Sequence, residues 1–154
     1  MSESKLYKAA LSRAMAICSR REYCIDDILS KLQLWGIKEE ECKKIIGALI
    51  RENFINEKRF TDAFVRDKFT YNKWGKVKIK AHLKLKRIPA EIINSTLNSI
   101  DNEVYIKTLR ELLTSHRKSV KAKNQYDLKG KLLRFGLSKG FESELLYSIL
   151  SGLD

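Results

Sequence analysis

Apolar residues recur three or four positions apart along nearly the whole chain, with polar residues between them. This spacing is typical of amphipathic helices, and strict alternation of the kind that marks strands is missing. The pattern predicts helices over residues 4–19, 25–34, 39–53, 57–72, 76–87, 89–99, 102–116, 125–136 and 142–151. We therefore predict an all-α protein whose nine helices fall into three groups of three.

The third helix of each group repeats when positions are counted from three apolar origins, Ile37, Ile88 and Phe141. Position +3 is Glu40, Glu91 or Glu144, an acid where it meets the positive end of a helix dipole. Position +9 is Ile46, Leu97 or Leu150, and position +12 is Leu49, Ile100 or Leu153. Upstream, Leu32 and Leu83 stand at position −5, and Phe135 lies in the corresponding part of the third group, at −6. The spacing indicates an internal repeat.

A unit of about 50 residues is near the lower limit for burying its own core, so neighbouring units are expected to stack. We predict three tandem three-helix repeats, resembling helix-turn-helix units, at residues 1–55, 56–100 and 101–154. Such a row is elongated and usually curved. It offers a long face instead of a deep pocket, which favours a binding module over an enzyme.

Composition supports helices, because the 154 residues include only seven Gly and one Pro and 44% of them are apolar. The net charge of +12 is uneven. Residues 1–67 carry 13 basic and 11 acidic side chains, whereas residues 68–154 carry 18 basic and 8 acidic ones. This distribution indicates that the C-terminal half faces a polyanion or a strongly acidic protein surface.

The segment KWGKVKIKAHLKLKRIP, residues 73–89, holds seven cations and no acid. On a helix, four of them would form a ridge: Lys76, Lys80, Lys84 and Arg87. Two apolar strips lie beside the ridge and predict a middle helix packed on two sides. One holds Ile79 and Leu83, and the other holds Val77, Ala81, Leu85 and Ile88. Since residues 68–90 hold no acid that could pair with the ridge at i,i+4 spacing, we expect the ridge to contact a polyanion.

A second basic stretch, residues 112–141, contains Asp127 as its only interior acid, and part of it, HRKSVKAKNQ, is typical of a loop. Its candidate contacts are Lys118, Lys121, Lys131 and Arg134. Loop lysines would grip phosphates and read little sequence. Three aromatic residues, Tyr71, Trp74 and Tyr126, either stack on bases or belong to the core.

No catalytic motif is present, and we predict no catalytic, cofactor-binding or metal site. Cys18, Cys24 and Cys42 lack metal-site spacing and are expected to be reduced thiols in helix faces. The isolated His82 and His116 are interpreted as surface or capping residues. The runs Glu39 to Glu41 and Asp26 with Asp27 are expected to complement helix starts. No signal peptide or membrane-length apolar run is seen, so a cytoplasmic protein is expected.

Four segments resemble the RecX family of bacterial regulators of the RecA recombinase. They are SRREYCIDDILSKLQLWGI (19–37), INEKRFTDAFVRDKF (55–69), WGKVKIKAHLKLKRI (74–88) and KLLRFGLSKGFESELLYSIL (131–150). They occur in the family's order and span nearly the whole chain. Three departures concern packing: Gly136 replaces a usual Leu and would loosen its helix, Cys24 stands at a Ser-type cap, and Arg87 replaces a frequent Gly.

The resemblance implies three tandem three-helix repeats in a curved, right-handed monomer that lodges in the groove of the RecA filament on single-stranded DNA. There it would inhibit ATP hydrolysis, strand exchange and filament growth. The eight cations named above would supply the attraction, with weak electrostatic contact to single-stranded DNA. The alternative is a helix-turn-helix protein that reads a duplex through residues 76–99, although a lysine-rich helix carries few groups for base edges.

Overall fold

The computed structural model describes residues 3–152, and in this range the chain forms nine α-helices and no strand. They are α1 (Glu3–Cys18), α2 (Ile25–Leu34), α3 (Glu39–Arg51), α4 (Glu57–Thr70), α5 (Lys76–Leu85), α6 (Ala90–Asn98), α7 (Asn102–Arg117), α8 (Gln125–Ser138) and α9 (Ser143–Ser151). The predicted all-α fold is confirmed, and each predicted helix is found with its ends within two residues.

Local capping explains where several helices begin. The side chains of Asn56, Asp101 and Asn124 accept hydrogen bonds from backbone N–H groups in the first turns of α4, α7 and α8. The acidic runs lie in first turns as expected, in α2 and α3. Since these caps use residues within three positions, the sequence alone was enough to place the helix starts.

The helices pack in three units, which we call unit 1 (α1–α3), unit 2 (α4–α6) and unit 3 (α7–α9). Each unit has a buried cluster of its own, and Phe69 and Ile100 touch the clusters of both unit 2 and unit 3. Substantial helix-on-helix packing occurs within units. The predicted domain boundaries after residues 55 and 100 stay a prediction.

The repeat is visible in the backbone, because α2, α5 and α8 end in the same motif. The residue just before each repeat origin (position −1) has a positive φ angle, which is 80° at Gly36, 59° at Arg87 and 92° at Gly140. The backbone N–H of each origin residue donates a hydrogen bond to the carbonyl five positions earlier, and the three N–O distances are 3.0, 3.2 and 3.1 Å. This is the Schellman helix ending. The origins Ile37, Ile88 and Phe141 are buried.

This register corrects one part of the repeat assignment. The residue of unit 3 that corresponds to Leu32 and Leu83 at position −5 is Gly136, and not Phe135 at position −6. Gly136 is buried, and a Cβ there would lie 2.3 Å from Leu146 Cδ2. The expectation that Gly136 loosens α8 is wrong for this packing, since the leucine of α9 fills the space. Leu153, assigned to position +12, lies outside the described residues.

The molecule is elongated. Its accessible surface is 9922 Å², whereas a compact protein of 17.9 kDa exposes about 8,000 Å². Three small cores in a row leave more surface than one large core. The predicted curvature and its right-handedness stay predictions.

Adjacent units meet through equivalent contacts that involve the start of a second helix. The N–H of Ile25 donates to Glu57 of unit 2 at 3.1 Å, and the N–H of Lys76 donates to the Tyr105 hydroxyl of unit 3 at 2.9 Å. Glu57 and Tyr105 lie in the first turn of the next unit's first helix. We call these contact regions joint 1 (units 1 and 2) and joint 2 (units 2 and 3).

Candidate polyanion interface

The middle of α5 carries two cations on its outward side, Lys80 and Lys84. Lys84 is exposed and Lys80 is half-buried. In the described part of the chain, neither forms an ion pair with a carboxylate. Their positive charge therefore faces solvent without compensation from the protein itself, as the sequence predicted for this ridge.

Lys76 lies instead at joint 2. Its ammonium Nζ sits 4.7 Å from the centre of the Tyr105 ring, a cation–π distance, and its side chain is half-buried. The Tyr105 hydroxyl in turn donates to Glu142 Oε1 at 2.5 Å. Burial and the hydrogen bond to Glu142 raise the pKa of Tyr105 far above its usual value. Lys76 thus belongs partly to the packing between units.

Arg87 lies beyond the end of α5, so the predicted ridge of four aligned cations is wrong at this position. The helix ends at Leu85, and Arg87 adopts a left-handed backbone. Its guanidinium Nε lies 3.9 Å from Asp26 Oδ1, and the neighbouring Lys86 Nζ lies 2.8 Å from Asp27 Oδ1. The segment itself holds no acidic partner, as the sequence indicates, but unit 1 supplies acidic neighbours to Arg87 and Lys86 through joint 1.

In unit 3, the four candidate cations occupy two different settings. Lys118 and Lys121 are exposed in the turn 118–124, and Arg134 is exposed on α8. Lys131 pairs with Asp127 at 3.3 Å and also donates to the carbonyl of Lys121. Asp127 accepts from the Lys123 N–H, and this bond together with Lys131 lowers its pKa. Lys131 therefore ties the basic turn to α8.

Two lysines that the prediction left out also line joint 2. Lys139 Nζ donates to the Asn72 carbonyl at 2.7 Å, and Lys78 Nζ lies 3.5 Å from the Ser138 carbonyl. Burial and the charge of Lys78 lower the pKa of Lys139. Lys139 and Lys86 both stand at position −2 and both reach back to the preceding unit. The repeat register was the sequence signal that could have assigned them to joints.

Exposed aromatic residues do not follow the core interpretation. Tyr71 is 79% exposed and Tyr126 is 89% exposed, so the core reading is wrong for both. Trp74 is half-buried, with its ring 4.6 Å from that of His82 and the amines of Lys68 and Lys78 over its face. Tyr71 and Tyr126 therefore remain available to stack on a base, whereas Trp74 is partly occupied by these contacts.

A groove of about 550 Å³ runs between α8 and α9. Its lining includes Tyr126 and Arg134, which were candidates, and Tyr147, which sequence reasoning missed. Tyr147 is 61% exposed. The groove thus places a guanidinium near two accessible aromatic rings, a combination that suits a phosphate and an unstacked base.

The outer side of α5 differs from the predicted two-sided packing. Ile79 and Leu83 are fully buried, whereas Val77 is 53% and Leu85 77% exposed, and Ala81 is also exposed. Of the other predicted strip, only Ile88, beyond the end of the helix, is buried in the core. Its remaining members, Val77, Ala81 and Leu85, form an apolar row on the surface beside Lys80 and Lys84.

The three cysteines are free and buried, but only Cys18 and Cys42 lie in helices. The expectation of a helix face is wrong for Cys24, whose Sγ caps α2 by accepting from the Asp27 N–H at 3.4 Å. Burial raises its pKa to about 12. His82 is exposed, and His116 stacks on Phe135 at 3.6 Å near the end of α7.

Within residues 3–152, no group of three or more His, Cys, Asp or Glu side chains is placed to hold a metal ion. No helix in this range is long and apolar enough to span a membrane. The accessible chemistry of the described surface is thus dominated by cations, aromatic rings and a short apolar row.

These features define a class: an all-helical tandem-repeat protein with a basic surface. The family model described as "RecX, second three-helix domain" matches residues 56–97, which contain unit 2 except the end of α6. The chain is 32% identical over 139 residues to "Regulatory protein RecX" of Mannheimia succiniciproducens, covering 88% of both chains. It is 28% identical over 152 residues to the protein of the same name from Clostridium beijerinckii, covering 97% of this chain and 70% of that one.

Solved structures agree on the fold. The "Crystal structure of RecX from Lactobacillus salivarius" superposes with a TM-score of 0.84 at 22% identity and covers 98% of both chains. The chain belongs to the RecX family of regulatory proteins. The resemblance found in the four sequence segments is confirmed.

Proposed function

We propose that this protein is a non-catalytic regulator of the RecA recombinase that acts in the cytoplasm as a monomer. It binds the RecA filament on single-stranded DNA along the helical groove and inhibits ATP hydrolysis, strand exchange and filament growth. In this way it modulates DNA repair and the SOS response. No cofactor takes part in this function.

The observation that carries this proposal is the uncompensated charge on a row of units. Lys80 and Lys84 on α5, and Lys118, Lys121 and Arg134 in unit 3, present cations to solvent. A nucleoprotein filament offers phosphates and acidic side chains over a length that matches an elongated partner. Membership in a family of regulatory proteins supports the same role.

The two basic regions need not have the same task within this proposal. Unit 3 combines Arg134 with the exposed rings of Tyr126 and Tyr147, and these groups suit single-stranded DNA. Binding to bare single strands is expected to be weak. Exposed lysines contribute to the binding free energy mainly through release of counterions, and this contribution decreases as salt is added.

Charge reversal tests the proposal. A variant with Lys80, Lys84, Lys118 and Lys121 changed to Glu should weaken binding to the RecA filament by at least about a hundredfold and flatten its salt dependence, since fewer counterions are released. Inhibition of the RecA ATPase should be lost at concentrations where the unchanged protein is saturating.

The matched control reverses four exposed cations elsewhere: Lys8, Arg20, Lys43 and Arg51. It changes the net charge by the same amount as the first variant, so the long-range electrostatic attraction to the filament is reduced equally in both. The control should keep most of its inhibition. Full inhibition by the first variant, or equal loss in both, would contradict the assignment of these cations.

A further inference from the structure

The outer face of α5 carries an apolar row that the fold does not require. The inner side of the helix already supplies Ile79 and Leu83 to the core of unit 2, both fully buried. Val77, Ala81 and Leu85 follow at intervals of four residues, which places them in one row along the helix surface. Val77 is 53% and Leu85 77% exposed.

The repeat shows that this row is particular to unit 2. The positions equivalent to Val77, Ala81 and Leu85, at −11, −7 and −3 from each origin, are Asp26, Ser30 and Leu34 in unit 1 and Gly130, Arg134 and Ser138 in unit 3. The equivalent positions are thus mostly polar or glycine in the other two units, which fold with the same helix ending. Stability of the three-helix unit therefore does not explain the apolar row.

Lysines flank the row on both sides. Lys80 and Lys84 follow one edge, and Lys78 with the exposed His82 follows the other. The described part of α5 holds no acidic residue. Lys78 is turned toward Ser138 and the Trp74 ring, so the open charge lies on the Lys80 and Lys84 side.

We propose that this face, Val77, Ala81 and Leu85 with Lys80 and Lys84, docks onto an acidic protein surface that carries apolar side chains. Lysines strengthen binding to a phosphate backbone, whereas valine and leucine add little to it. Protein interfaces, in contrast, combine an apolar centre with a charged rim. The partner's carboxylates would meet the lysines while its apolar groups cover the row, which is about 12 Å long.

This inference rests on the proposed function, within which the partner is the RecA protein itself and not the DNA in the filament. α5 would then hold the recombinase, whereas unit 3 would contact the nucleic acid. The two regions therefore predict different responses to mutation.

The experiment uses the full chain with Val77→Thr and Leu85→Gln combined. Both changes keep side-chain size and leave charge unaltered. Binding to the RecA filament should weaken by at least about tenfold, with an unchanged salt slope because no counterion release is lost. Binding to bare single-stranded DNA should stay within about twofold of the unchanged protein.

The matched control is Leu34→Gln. Leu34 is 83% exposed and stands at the same repeat position as Leu85, but α2 lacks the apolar row and has Leu29 and Gln33 where α5 has Lys80 and Lys84. Its binding to the filament should remain unchanged. Thermal unfolding of both variants checks that the fold is kept.

A contact measurement gives a second readout. A benzophenone side chain introduced at position 81 should cross-link to RecA in the assembled filament and not to the DNA. Cross-linking to DNA, equal loss of bare-DNA binding in the double variant, or unchanged filament binding would overturn the inference and leave the proposed function standing. If the unchanged protein fails to bind the filament, the proposed function falls and this inference falls with it.

Discussion

At the residue scale, the turn that follows each second helix requires a left-handed backbone. Glycine occupies this position in units 1 and 3, as Gly36 and Gly140, whereas Arg87 occupies it in unit 2 with φ of 59°. For a residue with a Cβ, this left-handed conformation costs about 1 kcal/mol or more of conformational free energy. Arg87 is therefore strained where its counterparts are not.

Replacing Arg87 with Gly should raise the free energy of unfolding by about 0.5 to 1 kcal/mol. Relief of the left-handed strain exceeds the greater flexibility of glycine in the unfolded chain and the loss of a long, exposed contact to Asp26. Chemical denaturation measures the change.

The same substitution should weaken filament binding about twofold to fivefold, because one exposed cation is removed. A more stable variant with weaker binding would show that Arg87 is kept for its charge. A less stable variant would contradict the assignment of strain at this position.

At the element scale, the start of α5 is built into unit 3. The N–H groups of Gly75 and Val77 donate to the carbonyls of Lys139 and Gly140, at 2.7 and 2.9 Å. A Cβ on Gly75 would lie 2.4 Å from the Gly140 oxygen. The helix start can therefore approach the neighbouring turn only because position 75 has no side chain.

Gly75→Ala should lower the free energy of unfolding by about 2 to 3 kcal/mol, since the added methyl forces the two backbones apart. Denaturant unfolding followed by circular dichroism gives the value.

Gly130→Ala is the control, because its Cβ would meet only Arg134 Nη1 at an ordinary 3.5 Å. This change should be neutral or stabilise α8 by up to about 1 kcal/mol. Equal effects of the two substitutions would contradict the close approach at joint 2.

Element positions could be predicted from the sequence, whereas the use of each helix face could not. Caps such as Asn56 and turns such as the one at Gly36 act over a few residues, so the helix ends were predictable. The periodicity of apolar residues showed which residues of α5 share a face of the helix. It did not say which row meets the core, because that depends on α4 and α6, and Val77 and Leu85 were wrongly assigned to packing.

For the whole molecule, the two joints differ in their chemistry. Joint 2 joins backbone groups around Gly75 and Gly140, whereas joint 1 relies on charged side chains. Arg59 donates to Glu22 at 2.7 Å, and Lys86 donates to Asp27 at 2.8 Å. Burial raises the pKa of Glu57, which accepts from Ile25 at the same joint. Joint 1 should therefore respond to pH.

Lys86→Met should lower the free energy of unfolding by about 1 to 2 kcal/mol at pH 7, because it leaves the half-buried Asp27 without its cation. Burial raises the pKa of Asp27, but Lys86 and the hydrogen bonds at Cys24 outweigh this effect and hold it below its ordinary value of 3.8. The stabilisation is present above that value and is lost as the pH falls through the lower, folded-state pKa.

The difference in unfolding free energy between Lys86→Met and the unchanged protein should therefore shrink below about pH 4. Lys58→Met, which removes an exposed pair with Asp62, is the control and should cost less than about 0.5 kcal/mol. A difference that is equal at pH 7 and at pH 3 would assign the effect of Lys86 to its packing near Phe60.

The candidate cations could be named from the sequence, but their tasks depended on neighbouring units. Lys80 and Lys84 form no ion pair in the described part of the chain, as the absence of acids from their segment predicted. Lys76 and Arg87 contact the neighbouring units 3 and 1. These long-range contacts arise from stacking of units, which local patterns do not encode. Lys131 instead pairs with Asp127, four residues earlier on α8, and this contact could have been predicted from the sequence.

The central claim is that this protein regulates a recombinase filament. The most direct measurement is the single-stranded-DNA-dependent ATPase rate of the cognate RecA, titrated with this protein at two salt concentrations. Its binding to bare single strands is measured in parallel. The proposed function predicts inhibition at protein levels well below those of RecA, weaker at the higher salt, with only weak binding to bare DNA. Inhibition only at levels that coat the DNA, or tight preference for one duplex sequence, would contradict it.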